Sequence, residues 1–196
     1  MYLPHPNQKE TNFDQADLTQ NTHKSSNEIL AQLLAEFVPK SQTIREVFIE
    51  SSALKNLPEK LLHHFGLSKV MLIADENTWS VAGLAAQREL QKAEFTVEKI
   101  LFPANPRPRP TIEAARTLSD KLHSDNSIPI VVGTGVLNDL VKFAAFKAGQ
   151  SYCCVPTAAS MDGYASAGSV LSDQGFKITH NCVPPKLILI DLDILG

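Results

Sequence analysis

The 196-residue chain has no apolar run that approaches the roughly 20 residues needed to span a bilayer. Its longest apolar stretches, such as Val70-Met71-Leu72-Ile73-Ala74, are the length of a strand. The amino-terminal residues are polar and lack the apolar core of a signal peptide. Cysteine is scarce: three residues, of which Cys153 and Cys154 are adjacent, cannot build a disulfide framework. Basic charge is not in excess either. Lys and Arg number 18 against 21 Asp and Glu, a net charge of −3. That balance argues against nucleic acid or an anionic membrane as the main partner. Core material, in contrast, is present, since 43% of the residues are hydrophobic. A reduced, cytoplasmic, globular protein is the expectation.

Met1 to Lys24 are rich in Asn, Gln, Thr, Asp and His. Such a stretch cannot bury enough surface to offset its ordering entropy, so residues 1–25 are expected to form a loose polar tail. One domain is expected over residues 26–196. Ser25 and Glu28 have capping-box spacing ahead of Ile29, Leu30, Leu33, Leu34 and Phe37, and Pro39 should end that helix. Short apolar runs then alternate with helical patterns. Strands are expected at Ile44–Ile49, Val70–Ala74, Phe95–Leu101, Ile128–Val132, Ser151–Val155 and Lys186–Asp191. Helices are expected from Leu57 to Phe65, closed by Gly66, from Thr78 to Lys92, from Thr111 to His123, and from Val136 to Ala148, stopped by Gly149. The prolines of Phe102–Pro110 forbid helix interior and central strand. Asp173-Gln174-Gly175 should turn a hairpin. The alternation is that of an α/β fold, an open doubly wound parallel sheet that binds ligands at its strands' carboxyl ends.

Three segments could carry chemistry. Ile130 to Asp139 runs from a buried strand through Gly133-Thr134-Gly135 into a helix, whose free N–H groups suit a phosphate. Neither a third Rossmann glycine nor a Walker lysine is present, since the helix continues Leu140-Val141-Lys142. Asp75, at the end of a strand, could accept ribose hydroxyls or cap the following helix. Val155 to Gly168 is dense in small and hydroxyl residues, and Asp162 is its one charge, an anchor for a hydroxylated substrate. Other groups suggest no shared metal. Cys153 and Cys154 point to opposite faces of a strand, and His63 and His64 lie about 100° apart on a helix. Arg107 and Arg109 could reach a phosphate or belong to a solvated loop.

The runs Gly133–Lys142 and Val155–Ser166 resemble the sn-glycerol-1-phosphate dehydrogenase family of the iron-containing alcohol dehydrogenase and dehydroquinate synthase superfamily. Asp75-Glu76-Asn77-Thr78, Asp173–Lys177, Pro184-Pro185-Lys186 and Asp191–Leu195 fit the same family. The resemblance implies a Rossmann-like amino-terminal domain of an NAD(P)-dependent enzyme. That enzyme interconverts dihydroxyacetone phosphate and sn-glycerol 1-phosphate, a step of phospholipid biosynthesis. By the same resemblance Asp75 holds the adenosine ribose, and Gly135, Val136, Leu137, Asn138 and Asp139 cradle the pyrophosphate. Thr157, Ala158, Ala159, Ser160 and Ser166 contact NAD or NADP, and Asp162 the substrate, a phosphorylated polyol or ketone. Family members use a divalent metal (Zn, Ni or Fe), bound by an aspartate and two histidines of an all-helical carboxyl-terminal domain. Those ligands are not among these residues, so the chain alone is expected to be inactive. A dehydroquinate-synthase-like lyase and a non-catalytic nucleotide-binding module are the alternatives, and a homo-oligomer is left open.

Overall fold

A computed structural model describes residues 25–195. Ser25 apart, the expected tail lies outside them. The chain divides into two units between Phe37 and Val38. In the first, α1 (Ser26–Phe37) starts on the expected capping box. Ser25 N–H donates to Glu28 Oε2 at 2.7 Å, and Glu28 N–H donates to Ser25 Oγ at 3.3 Å.

The second unit runs β1 (Glu46–Glu50), α2 (Leu57–Phe65), β2 (Lys69–Asp75), α3 (Glu76–Thr78), α4 (Leu84–Lys92) and β3 (Thr96–Phe102). Then come α5 (Ile112–His123), β4 (Ile128–Gly133), α6 (Gly135–Ala148), β5 (Cys153–Pro156), β6 (Gly168–Asp173), β7 (Phe176–Asn181), β8 (Leu187–Asp191) and α7 (Leu192–Leu195). The strand expected from Ile44 begins two residues later. Ser41 Oγ accepts the N–H of Ile44 at 2.9 Å and that of Thr43 at 3.3 Å, and this local turn holds both out of the sheet. The expected helix from Thr78 starts instead at Glu76, and a π-helical turn, Trp79–Gly83, joins α3 to α4. Trp79 causes a local crowding there: a Cβ on Gly83 would lie 2.6 Å from its ring.

Six strands form one parallel sheet in the order β1-β8-β5-β4-β2-β3. Helices cover both faces, as the apolar strands require. Along β2 the side chains alternate. Val70, Leu72 and Ala74 join one core with Leu57, Leu61 and Leu90, while Met71 and Ile73 join the other with Leu118, Leu140 and Phe143. From β2 the chain steps outward to β3, then returns past β2 to β4. This reversal opens a crevice at the carboxyl ends of β2 and β4.

β6 and β7 pair antiparallel as a separate hairpin. Its two-residue turn puts Gln174 at φ 47° and Gly175 at φ 87°, which explains the glycine. The three cysteines are free and buried, with Cys153 in one core and Cys154 in the other. Burial pushes both thiols well above their ordinary range, so they behave as small apolar side chains. His64 Nε2 lies 2.6 Å from Glu46 Oε2, and Lys60 donates to Glu46 Oε1 at 2.6 Å. These contacts fasten α2 to the edge strand. Among the described residues, no helix is long and apolar enough to cross a membrane.

Candidate functional site

At the crevice, Asp75, Asn77, Thr78, Arg107, Pro108, Thr134 and Val136 line a cleft of about 240 Å³. The last residue of β2 supplies its carboxylate. Asp75 Oδ1 accepts the N–H of Thr78 at 2.8 Å, and Thr78 Oγ1 accepts the N–H of Asp75 at 3.1 Å. This reciprocal cap starts α3 and holds Asp75 at 8% exposure. The capping reading of Asp75 is therefore observed. Asp75 lines the cleft and its other oxygen, Oδ2, receives no hydrogen bond from the described residues, so capping does not exclude a ligand.

Opposite, β4 runs into α6 through Thr134, which is extended and makes no side-chain cap. The first backbone bond of α6 is Asn138 N–H to Thr134 O at 3.0 Å. The earlier N–H groups, from Gly135 to Leu137, thus lie free at the start of a 14-residue helix, with its partial positive charge. Gly135 is helical, without the positive φ that would demand glycine. It is small for a different reason. Met161 Cε lies where a Cβ on Gly135 would have to go.

The Thr157–Ser166 segment lies along the first half of α6. Thr157 N–H donates to Gly133 O at 3.2 Å, and the Tyr164 hydroxyl lies 3.1 Å from Ala158 O. Thr157 Oγ1 is buried without a hydrogen-bond partner, an acceptor and donor left over beside the glycine turn. Ala159, Ser160 and Asp162 are exposed, and the Asp162 carboxylate does not cap the short helical turn that follows it.

At four of the expected ligand positions the side chain is engaged within the protein. Leu137 is fully buried against Gly133. Asn138, 1% exposed, accepts the Tyr152 hydroxyl at 3.2 Å and donates to Gly163 O at 3.5 Å. The Asp139 carboxylate accepts the Val170 N–H of the hairpin; burial raises its pKa, and Lys142 and that N–H pull it back. Ser166 Oγ accepts from Lys142 Nζ at 3.0 Å. Leu137 and Asn138 are buried where α6 packs, Asp139 meets the hairpin, and Ser166, itself exposed, is reached by the Lys142 ammonium.

Sequence reasoning passed over Lys142. Its side chain is wholly buried, and Nζ also donates to Gly163 O and Gly168 O, each at 2.9 Å. Burial lowers its pKa, and Asp139, at 3.9 Å, opposes that shift. The two carbonyls and the Ser166 hydroxyl give each proton of the ammonium an acceptor. A lysine between Val141 and Phe143 on an apolar helix was the available signal. It clamps the end of the segment that carries the expected cofactor contacts.

A second groove, of about 330 Å³, lies between α5, α6 and the hairpin and mixes Arg116, Lys147 and His180 with Asp120 and Asp173. Its charges are balanced, and it converges on no strand end. Among the described residues, no group of three or more His, Cys, Asp or Glu could hold a metal ion. No step through a metal follows from them.

A doubly wound parallel sheet with an open crevice at its switch point, an acid on one side and an uncapped helix on the other, defines a nucleotide-binding type of α/β domain. Within that class the match is specific: a family model described as iron-containing alcohol dehydrogenase covers residues 48–196. The chain belongs to the iron-containing alcohol dehydrogenase family. It is 31% identical over 160 residues to a glycerol-1-phosphate dehydrogenase [NAD(P)+] of Halalkalibacterium halodurans, covering 76% of this chain and 38% of that protein. A Bacillus subtilis protein of the same name is 31% identical over 128 residues, 64% of this chain and 32% of its own. The chain thus spans about a third to two fifths of the length of these relatives. Among solved structures, glycerol dehydrogenase from Schizosaccharomyces pombe superposes with a TM-score of 0.65 at 24% identity, over 78% of this chain and 38% of that one. A 2-epi-5-epi-valiolone synthase from Streptomyces hygroscopicus, solved with NAD+ and Zn2+ bound, gives 0.60 at 21% identity, over 76% and 43%. These likenesses show the fold.

Proposed function

We propose that the chain is the cofactor-binding part of an NAD(P)-dependent dehydrogenase that interconverts dihydroxyacetone phosphate and sn-glycerol 1-phosphate. The observation that carries this reading is the meeting of Asp75 and the uncapped start of α6 in one crevice. The adenosine ribose hydroxyls bond to Asp75 Oδ2, and the pyrophosphate lies on the N–H groups of Gly135, Val136 and Leu137. The cleft holds only a nucleoside-sized part of a dinucleotide, so the remainder runs over α6 toward Thr157, Ala158, Ala159 and Ser160. Met161 must swing off Gly135 for this. Its side chain is unbranched and 40% exposed, which makes the movement easy. Thr157 Oγ1 gains there the partner it lacks. Asp162, exposed farther along the segment, bonds the substrate. Three of the four proteins named above are dehydrogenases of glycerol or glycerol 1-phosphate, which favours a small phosphorylated polyol or ketone. Bound cofactor supplies or takes the hydride; these residues bind and orient it.

NADH titration of the chain tests this, with the fluorescence of its single tryptophan, Trp79, as a reporter four residues beyond Asp75. Binding of NADH is the expected result. Asp75→Ala weakens NADH by about 1.5–3 kcal/mol, the range for a hydrogen bond to a charged group. It also destabilises the fold by about 1 kcal/mol through the lost cap. Asp75→Asn keeps the cap and so separates the two effects. Unchanged NADH affinity in both variants contradicts the assignment of Asp75.

A further inference from the structure

The stretch between β3 and α5 places the only cation among the residues that line the cleft. Pro103, Pro106, Pro108 and Pro110 each fix their own φ, so the stretch is stiff. It is also tied at both ends. Ala104 N–H donates to Glu76 Oε2 at 2.9 Å, and Pro110 O accepts the N–H of Ser172 at 2.6 Å. Arg107 is thereby held at the cleft before any ligand arrives, which lowers the ordering cost of binding. Its side chain is exposed, and among the described residues no carboxylate or carbonyl pairs with it. Asp75 lines the same cleft, yet the two charges do not form an ion pair. The cleft that both line, about 240 Å³, has room for a sugar.

That pairing has a chemical consequence. A carboxylate at the end of β2 accepts ribose hydroxyls and repels a phosphate on the 2′ oxygen, whereas a nearby guanidinium accepts that phosphate through charge-assisted, often bidentate hydrogen bonds. We infer that Arg107 binds the 2′-phosphate of the cofactor's adenosine, so that the cleft takes NADPH as well as NADH. This rests on the proposed cofactor role of the cleft, and it adds the residue that sets its tolerance for the 2′-phosphate. Asn77, exposed at the rim of the cleft, adds no charge of its own.

Calorimetric titrations of the chain with NADH, NADPH, 5′-AMP and 2′,5′-ADP test the inference; the last two differ only by the 2′-phosphate. Arg107→Ala weakens NADPH and 2′,5′-ADP about tenfold or more, as expected for one lost charge-assisted contact, and leaves NADH and 5′-AMP within about twofold. Arg107→Lys recovers part of the loss, because a point charge replaces the planar fork. Because Arg107 is exposed and unbonded, neither variant shifts the melting temperature by more than roughly 1 °C. Equal weakening of all four ligands, or NADPH affinity unchanged in Arg107→Ala, overturns the inference. A parent chain that binds NADH but not NADPH overturns it too, while the proposed function stands. A parent that binds none of the four overturns both.

Discussion

Replacing Lys142 with methionine should lower the stability of the domain by about 3 kcal/mol, or roughly 6–12 °C in melting temperature for a chain of this size. The ammonium is fully buried and donates to Gly163 O, Ser166 Oγ and Gly168 O. Methionine fills most of the volume but cannot donate. The Ser166 hydroxyl can then satisfy one of the two carbonyls, which lie 3.0 and 3.1 Å from it. Gly163 O keeps the N–H of Ser166 at 3.3 Å and Asn138 Nδ2 at 3.5 Å, so the cost falls on the lost donations of a charged group and on the Asp139 carboxylate, which loses the cation that offsets its burial. A hydrogen bond to a charged group contributes about 1.5–3 kcal/mol, and a half-buried carboxylate left without its cation adds to the loss. The sign of the pH effect follows from linkage. Burial holds the folded pKa of Lys142 below 10.5. Between that lowered value and 10.5 the unfolded chain binds more protons, so the contribution of this group to stability rises with pH there. Lys142→Met removes that component. Freed at its far end, the Thr157–Ser166 segment also holds NADH less well at a temperature where both proteins remain folded. Thermal unfolding followed by circular dichroism reads the first effect and NADH titration the second. A melting temperature within about 2 °C of the parent's would show that the clamp contributes little.

Gly135→Val should give the largest loss of cofactor affinity, on the order of 2–3 kcal/mol, or about 30- to 150-fold. Backbone strain is not the reason, because Gly135 is helical. Space is. A Cβ there enters the volume now held by the end of Met161. Met161 is exposed and flexible enough to yield, so the fold survives with little cost. The branched side chain then occupies the floor on which the pyrophosphate must lie, and the N–H groups of the first turn cannot reach it. Gly135→Ala, with one methyl, should fall between parent and valine. Wild-type affinity in Gly135→Val would place the pyrophosphate elsewhere.

The parts that could be read from the sequence were those with local physical causes. Continuous apolar runs marked β2 and β4 as buried strands. Gly66 and Gly149 sit in the left-handed position after α2 and α6, each at φ 68°. Thr111 caps α5 through the Ala114 N–H at 3.2 Å, and Ser25 and Glu28 close their box. What sequence could not supply depended on distant partners. The pairing of β1 with β8 joins segments more than 130 residues apart. Asp191 stabilises that join by accepting the N–H groups of Ser52 and Leu54. At the site, Asp75 could be read as a cap or as a ribose ligand, and its geometry serves the first and leaves room for the second. Leu137, Asn138 and Ser166 share their motifs with the free residues around them, but burial on α6 engages the first two side chains and the buried Lys142 holds the hydroxyl of the third. Met161 over Gly135 and Arg107 beside Asp75 arise only from loops meeting across the crevice.

Backbone amide NMR of the isotopically labelled chain, titrated with NADH, tests the central claim most directly. The largest shifts should fall on Asn77, Thr78, Gly135, Val136, Leu137 and the Thr157–Ser166 segment, where the crevice and its flanking loop meet. Arg116, Lys147 and His180, in the groove between α5, α6 and the hairpin, should stay still. Shifts centred on that groove, or none at saturating NADH, would contradict a cofactor site at the switch point.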